Sequence, residues 1–195
     1  MMLRLVTCGP LIAALLVPAA ARTQQPDSAM MMEKWQQYMT PGPPHQQMAK
    51  EEGEWTWKST FWPGPGAPAE ESSGAMSART IMGGRYLMQN WTGTAMQMPF
   101  EGQSLSGYDN AKGQYFDVWV DNFGTGVMTS WGTRDDATGT MSMSGSAVDP
   151  ATGREQKMRS VTRHVDDDHF ILEMYAPAPD GKEFKSMELH ALRKE

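Results

Sequence analysis

Asp109-Asn110-Ala111-Lys112-Gly113 sits in the middle of the chain, and its pattern returns twice: Asp135-Asp136-Ala137-Thr138-Gly139 and Asp149-Pro150-Ala151-Thr152-Gly153. An aspartate at the start of such a run can cap a type I turn with its side chain. A glycine at the end can take the left-handed conformation that closes the turn into the next strand. Three matching turns of this kind predict a succession of hairpins, and hence a meander of adjacent antiparallel strands. The stretches between them do not resemble one another, so the turns recur without the chain being a repeat protein.

Working outward from these turns, the sequence alternates with a period of two. Trp55, Trp57 and Phe61 fall on one face of an extended stretch, and Glu54, Thr56, Lys58 and Thr60 on the other. Further extended stretches are expected at about 70–82, 85–94, 99–108, 114–121, 126–134, 140–148, 154–165, 169–176 and 182–193. Pro63-Gly-Pro-Gly66, Gly83-Gly84, Asp166-Asp167-Asp168 and Pro179-Asp180-Gly181 separate some of them. About ten short strands must bury one face and protect their edges. The expected fold is therefore all-β, an antiparallel up-and-down barrel, with a short N-terminal helix. A two-sheet sandwich is the alternative, but its crossovers are usually longer than these turns.

The segments before the barrel read differently. Met-Met-Leu-Arg4 and the apolar run Leu5 to Ala21, ending in Ala19-Ala20-Ala21, form a secretory signal peptide over 1–21. Pro10 and Pro18 interrupt the run, which is also short for a membrane anchor. Cys8 starts the apolar run instead of following it, so it is not read as a lipid-attachment site. The only cysteine leaves with the leader, and the expected location is periplasmic or secreted. Residues 22–40 read as a flexible tail whose second half can form a helix capped by Ser28. The barrel domain is placed at 41–195, entered through Pro41-Gly42-Pro43-Pro44 and a helix from His45 to Glu52. A net charge of −6, without a basic stripe, argues against nucleic acid as a partner. No basic amphipathic segment points to a membrane surface after the leader is removed.

Gly53-Glu54-Trp55 stands where the helix enters the first strand, and Arg193 stands near the end of the last. Closing the sheet brings those strands together antiparallel. Trp55 is expected to seal one end, with the Arg193 guanidinium across its ring contributing about 1 kcal/mol.

The mature chain resembles the bacterial domain-of-unknown-function family numbered fifteen seventy-nine. The resemblance runs through Pro41-Gly42-Pro43 with His45, Gly53-Glu54-Trp55, Gly83-Gly84-Arg85, Met98-Pro99-Phe100-Glu101-Gly102 and Gly107-Tyr108-Asp109. It continues through Asp121-Asn122 with Gly124-Thr125-Gly126, Asp149-Pro150 with Thr152-Gly153, Glu173-Met174-Tyr175, and Gly181-Lys-Glu-Phe-Lys185 to Arg193. It covers about 40–195 and implies a lipocalin-like, calycin-type barrel. It implies no activity and brings no catalytic residue.

Known catalytic motifs fail on inspection. Gly102-Gln-Ser104-Leu-Ser106 lacks the final glycine of a nucleophile elbow and lies in a strand. Asp166-Asp167-Asp168 lacks calcium-loop spacing, and Asp121-Asn122-Phe-Gly124-Thr-Gly126 lacks the helix and lysine of a phosphate loop. Met30-Met31-Met32, Met96-x-Met98 and Met141-x-Met143 are read as packing residues rather than Cu(I) ligands, since such sites need several convergent ligands. His45, His164, His169 and His190 show no zinc spacing. Some ten-strand barrels hold haem through a histidine on a late strand, but alternation sets His190 opposite Met187, Leu189 and Ala191, on the solvent side. No cofactor, metal or catalytic residue is therefore assigned.

The leading expectation is a barrel that binds a small, largely apolar molecule, with Trp57, Arg85, Tyr108, Trp119, Glu173, Glu188 and His190 as candidate ligand residues. An enzyme of modest specificity using polar groups such as Glu173, Glu188 or Arg85 is one alternative. A haem or copper carrier is the other.

Overall fold

In a computed structural model, which describes residues 27–150 and 152–195, the chain forms two short helices and ten strands. The helices are α1 (Ser28–Met39) and α2 (Pro43–Ala49). The strands are β1 (Gly53–Phe61), β2 (Glu70–Ile81), β3 (Tyr86–Ala95), β4 (Met98–Asp109) and β5 (Gln114–Asp121), then β6 (Met128–Asp135), β7 (Thr140–Val148), β8 (Glu155–Asp166), β9 (His169–Pro177) and β10 (Glu183–Arg193). Each strand pairs antiparallel with its sequence neighbour, and β10 closes onto β1, giving an up-and-down barrel without free edges. The signal-peptide reading and Cys8 lie outside the described residues.

The three recurring turns behave as their sequence dictates. Gly113, Gly139 and Gly153 have φ of 66°, 69° and 66°. Their N–H groups donate to the carbonyls of Asp109, Asp135 and Asp149 at 2.7, 2.8 and 2.8 Å. The aspartate side chains accept from Ala111, Ala137 and Thr152 at 2.8, 2.9 and 3.3 Å. A β-branched residue is strained in that backbone conformation, which is why glycine ends each turn.

Helix α1 is capped by Asp27, not Ser28: the Asp27 carboxylate accepts from the Ala29 N–H at 3.2 Å. Its residues are exposed, Met30, Met31 and Met32 among them, so these methionines are not the packing residues the sequence suggested. The end of α1 is tied to the barrel by Asn110, whose amide donates to the carbonyls of Gln37, Tyr38 and Thr40 at 3.1, 3.1 and 2.9 Å.

Alternation within the strands divides the side chains into a lumenal and an outer set. Trp55, Trp57, Met76, Leu87, Trp91, Phe170, Leu189 and Ala191 are buried on the lumenal side and form the core. A bulge between Lys185 and Met187 breaks the alternation of β10, leaving Lys185 paired with Tyr175 outside while Met187 pairs with Met174 inside. Trp55 closes one end at 1% exposure. The opposite end is the mouth, where the β5–β6 connection lies. No helix of the described residues is long and apolar enough to cross a membrane.

Candidate functional site

Glu51 follows α2 and reaches the floor of the lumen. Its Oε2 accepts from Gln89 Nε2 at 3.0 Å, and its Oε1 lies 3.2 Å from His164 Nε2. Gln89 Oε1 in turn accepts from the Ser104 hydroxyl at 2.9 Å. Beside this chain of bonds, the Ser106 hydroxyl donates to Asp117 Oδ2 at 2.7 Å. Gln89 and Ser104 are buried, so every bond between them is made in a medium that strengthens it and penalises its loss.

Asp117 stands out electrostatically. It keeps part of its surface accessible, yet the protein around it is dense enough that desolvation pushes its carboxyl up to about 6. Hydrogen bonds from Ser106 and Ser104 oppose the shift, and the nearby Glu51 charge adds to it. Among the described residues no lysine, arginine or histidine forms an ion pair with it.

Above the floor the lumen has two walls of different character. One is aromatic: Trp57 and Trp91 lie 6.2 Å apart, Trp91 and Trp119 6.1 Å, and Phe100 stacks on Trp119 at 6.3 Å. Glycines make room for these rings. A Cβ on Gly93 would lie 2.8 Å from Trp57 and one on Gly102 2.6 Å from Trp119. The indole N–H groups of Trp57 and Trp119 donate to Ala75 O at 3.1 Å and Asp121 Oδ2 at 2.7 Å. Trp91 Nε1 and His164 Nδ1 are enclosed without a hydrogen-bond partner.

The facing wall is methionine. Met128, Met143, Met158 and Met174, with Ser130, Gly145, Ser160 and Arg159, surround a cavity of about 20 Å³, and the Arg159 guanidinium is bonded to Glu183 at 2.6 and 3.0 Å. These methionines are only half-buried although they face inward, and the space among them holds about one water, so a guest enters as they re-pack. Methionine is the apolar side chain that re-packs most readily around a guest. Ser130 pairs with Asp117 across β5 and β6, which sets the carboxylate next to this space.

A larger depression, about 550 Å³, crosses β3, β4 and β5 near the mouth. It is wide and open, and the outward groups Asn90, Gln103 and Asn122 that line it are already engaged. Gln103 Nε2 donates to Asn90 Oδ1 at 3.0 Å, and Asn122 bonds the Glu101 N–H and the Pro99 carbonyl. The lumen, where the Asp117 carboxylate has no cationic partner among the described residues, is the better candidate despite its smaller empty volume.

The residues singled out from sequence separate into three places. Trp57 and Trp119 line the lumen. Tyr108 lies at the closed end, its ring 4.9 Å from Tyr115 and 5.9 Å from the buried His45. Arg85 sits in the β2–β3 turn and donates to the Met82 and Met39 carbonyls at 3.0 and 2.6 Å. Glu173, Glu188 and His190 belong to an outer network. Glu173 is buried among Lys185 (3.4 Å), Tyr175 (3.1 Å) and Arg163 (3.4 Å); Glu188 pairs with Lys185 and with His190, 3.1 Å away. The His190 ring also stacks on His169 with nitrogens 3.2 Å apart. Sequence reasoning missed Glu51, Gln89, Ser104, Asp117 and His164 as one constellation. A signal for Asp117 was present: Tyr115, Asp117 and Trp119 alternate on one face, placing a carboxylate among aromatics.

The architecture is that of a lipocalin-like barrel: ten antiparallel strands, an indole at the closed end and a helix entering the first strand. The chain belongs to the family described as Protein of unknown function (DUF1579), whose model matches residues 40–193. Its fold is similar to the crystal structure of Rv2717c from M. tuberculosis, with a TM-score of 0.61 and 14% identity over 80% of this chain and 100% of that one. A likeness at that identity concerns the fold alone. No curated protein matches the chain.

Proposed function

We propose that this is an exported protein whose barrel binds a small, largely apolar molecule in its lumen. The observation that carries the reading is the half-buried methionine wall facing inward across from the tryptophans. Inward apolar side chains that keep accessible surface are the lining of a site, whereas those of a filled core are sealed, as Trp55 and Ala191 are. Export is supported by the basic, apolar and small-residue order of residues 1–21.

The test has two arms. Native mass spectrometry of protein purified from its own periplasm should reveal a co-purifying small molecule. The neutral apolar probe N-phenyl-1-naphthylamine should quench Trp57, Trp91 and Trp119 saturably, and Ser160→Trp, which fills the lumen, should abolish the quenching. Saturation that survives Ser160→Trp, or no response in either arm, refutes the reading.

A further inference from the structure

We infer that the lumenal ligand is an organic cation, an apolar body bearing a protonated amine, with Asp117 as its counter-ion. The inference rests on the lumen-binding reading and adds the chemistry of the head group.

A carboxylate withdrawn from water is costly unless a cation or several hydrogen-bond donors compensate it. Asp117 has hydroxyl donors, Ser106 at 2.7 Å and Ser104 as a weaker contributor, and no cationic partner among the described residues. Arg159, which borders the methionine-lined space, is bonded to Glu183 at 2.6 and 3.0 Å, and Arg134 is bonded to Asp136 at 2.5 Å. Asp117 is therefore a desolvated carboxylate beside the methionine-lined space with hydroxyl donors and no cationic partner among the described residues.

The rest of the lumen is suited to the same guest. Glu51 on the floor and Asp121 below the mouth add negative potential along the axis, which disfavours a carboxylate or phosphate head. Of the aromatic wall, Trp119 and Phe100 keep accessible surface while Trp57 and Trp91 are sealed behind them, and aromatic faces attract ammonium groups more strongly than neutral ones. The thioethers of Met143, Met158 and Met174 supply an adaptable surface for a hydrocarbon body. A fatty acid would use the apolar walls but set its own charge against Asp117.

The experiment compares three probes with one hydrocarbon body: octylamine, octanol and octanoate, titrated against the full mature protein by tryptophan fluorescence at pH 8. Octylamine is expected to bind at least about tenfold more tightly than octanol, with octanoate weakest. In Asp117→Asn the amine and alcohol should bind within about twofold of one another. In Ser106→Ala, which keeps the carboxylate, the amine preference should remain. Octanol binding as well as octylamine in the unaltered protein, or an amine preference that persists in Asp117→Asn, overturns the cation inference while the lumen reading stands. Failure of all three probes overturns both.

Discussion

The guanidinium carbon of Arg193 lies 4.2 Å from the centre of the Trp55 ring, and the two residues are register partners across the β1–β10 seam. This contact closes the barrel and does more than stack. Arg193 Nη1 donates to the Glu52 carbonyl at 2.5 Å, Nη2 to Lys50 at 2.8 Å and to Asp167 at 3.0 Å, and Nε to the Asp168 carboxylate at 2.9 Å. One side chain thus ties the end of α2, the β8–β9 turn and the seal of the barrel together. The Trp55 N–H completes the joint by donating to the Glu51 carbonyl at 3.0 Å.

Trp55→Ala should cost about 3–5 kcal/mol in urea unfolding, as expected for a large ring removed from a sealed core. Arg193→Ala should cost about 2–3 kcal/mol, more than a cation–ring contact alone, because several carbonyls lose a charged donor. The double variant should lose less than the sum of the singles, since each change removes part of the other's environment. Strict additivity would mean that the two residues act independently.

Gly113, Gly139 and Gly153 should each resist substitution. Valine at any one of them should lower stability by about 1–2 kcal/mol or more, read as a shift in the urea midpoint at constant slope. Three silent substitutions would show that the turns relax freely.

Asp117 sets a pH dependence whose sign is opposite to that of a salt-bridged carboxylate. Burial raises its folded value to about 6 from 3.8, so the folded state holds this proton more tightly than the unfolded chain. Its contribution is fully favourable below the unfolded value and is lost as pH rises through about 6. Asp117→Asn should therefore stabilise the protein by about 2–3 kcal/mol at pH 8, with the advantage vanishing near pH 3.5. Equal stability of the two proteins at pH 8, measured by urea unfolding, would mean that the carboxylate is well solvated.

Export and processing predict a mature chain that begins near Arg22 and carries no thiol. N-terminal sequencing and thiol titration of protein recovered from the periplasm check both. An intact Met1, or a lipid on Cys8, would overturn the expectation.

Local chemistry carried most of the fold. The aspartate and glycine of each recurring turn dictate backbone conformation within a few residues, so the meander was legible without knowing any distant contact. Period-two alternation likewise identified Trp55 and Trp57 as one face and Met187, Leu189 and Ala191 as another. The pairing of Trp55 with Arg193 followed from closure, because the start of the first strand must meet the end of the last.

The site was less legible because it is built from residues that alternation cannot bring together. Glu51, Gln89, Ser104, Asp117 and His164 come from the segment after α2 and from β3, β4, β5 and β8. They meet only once the sheet has curled and the helix has been seated beneath it. Strand β9 was ambiguous for a different reason. Phe170, Leu172 and Met174 on one face are matched by Ile171 and Tyr175 on the other, so hydrophobicity did not say which way Glu173 points. The register settled that, pairing Glu173 with Val161 and Glu188 on the outer surface, and the bulge before Met187 put Lys185 beside them. The sequence by itself determined the turns, the strands and the seal, since each depends on neighbours along the chain. Tertiary structure alone decided that Asp117 is desolvated inside the barrel with no counter-charge among the described residues, because desolvation depends on everything that surrounds a group and not on the residues beside it.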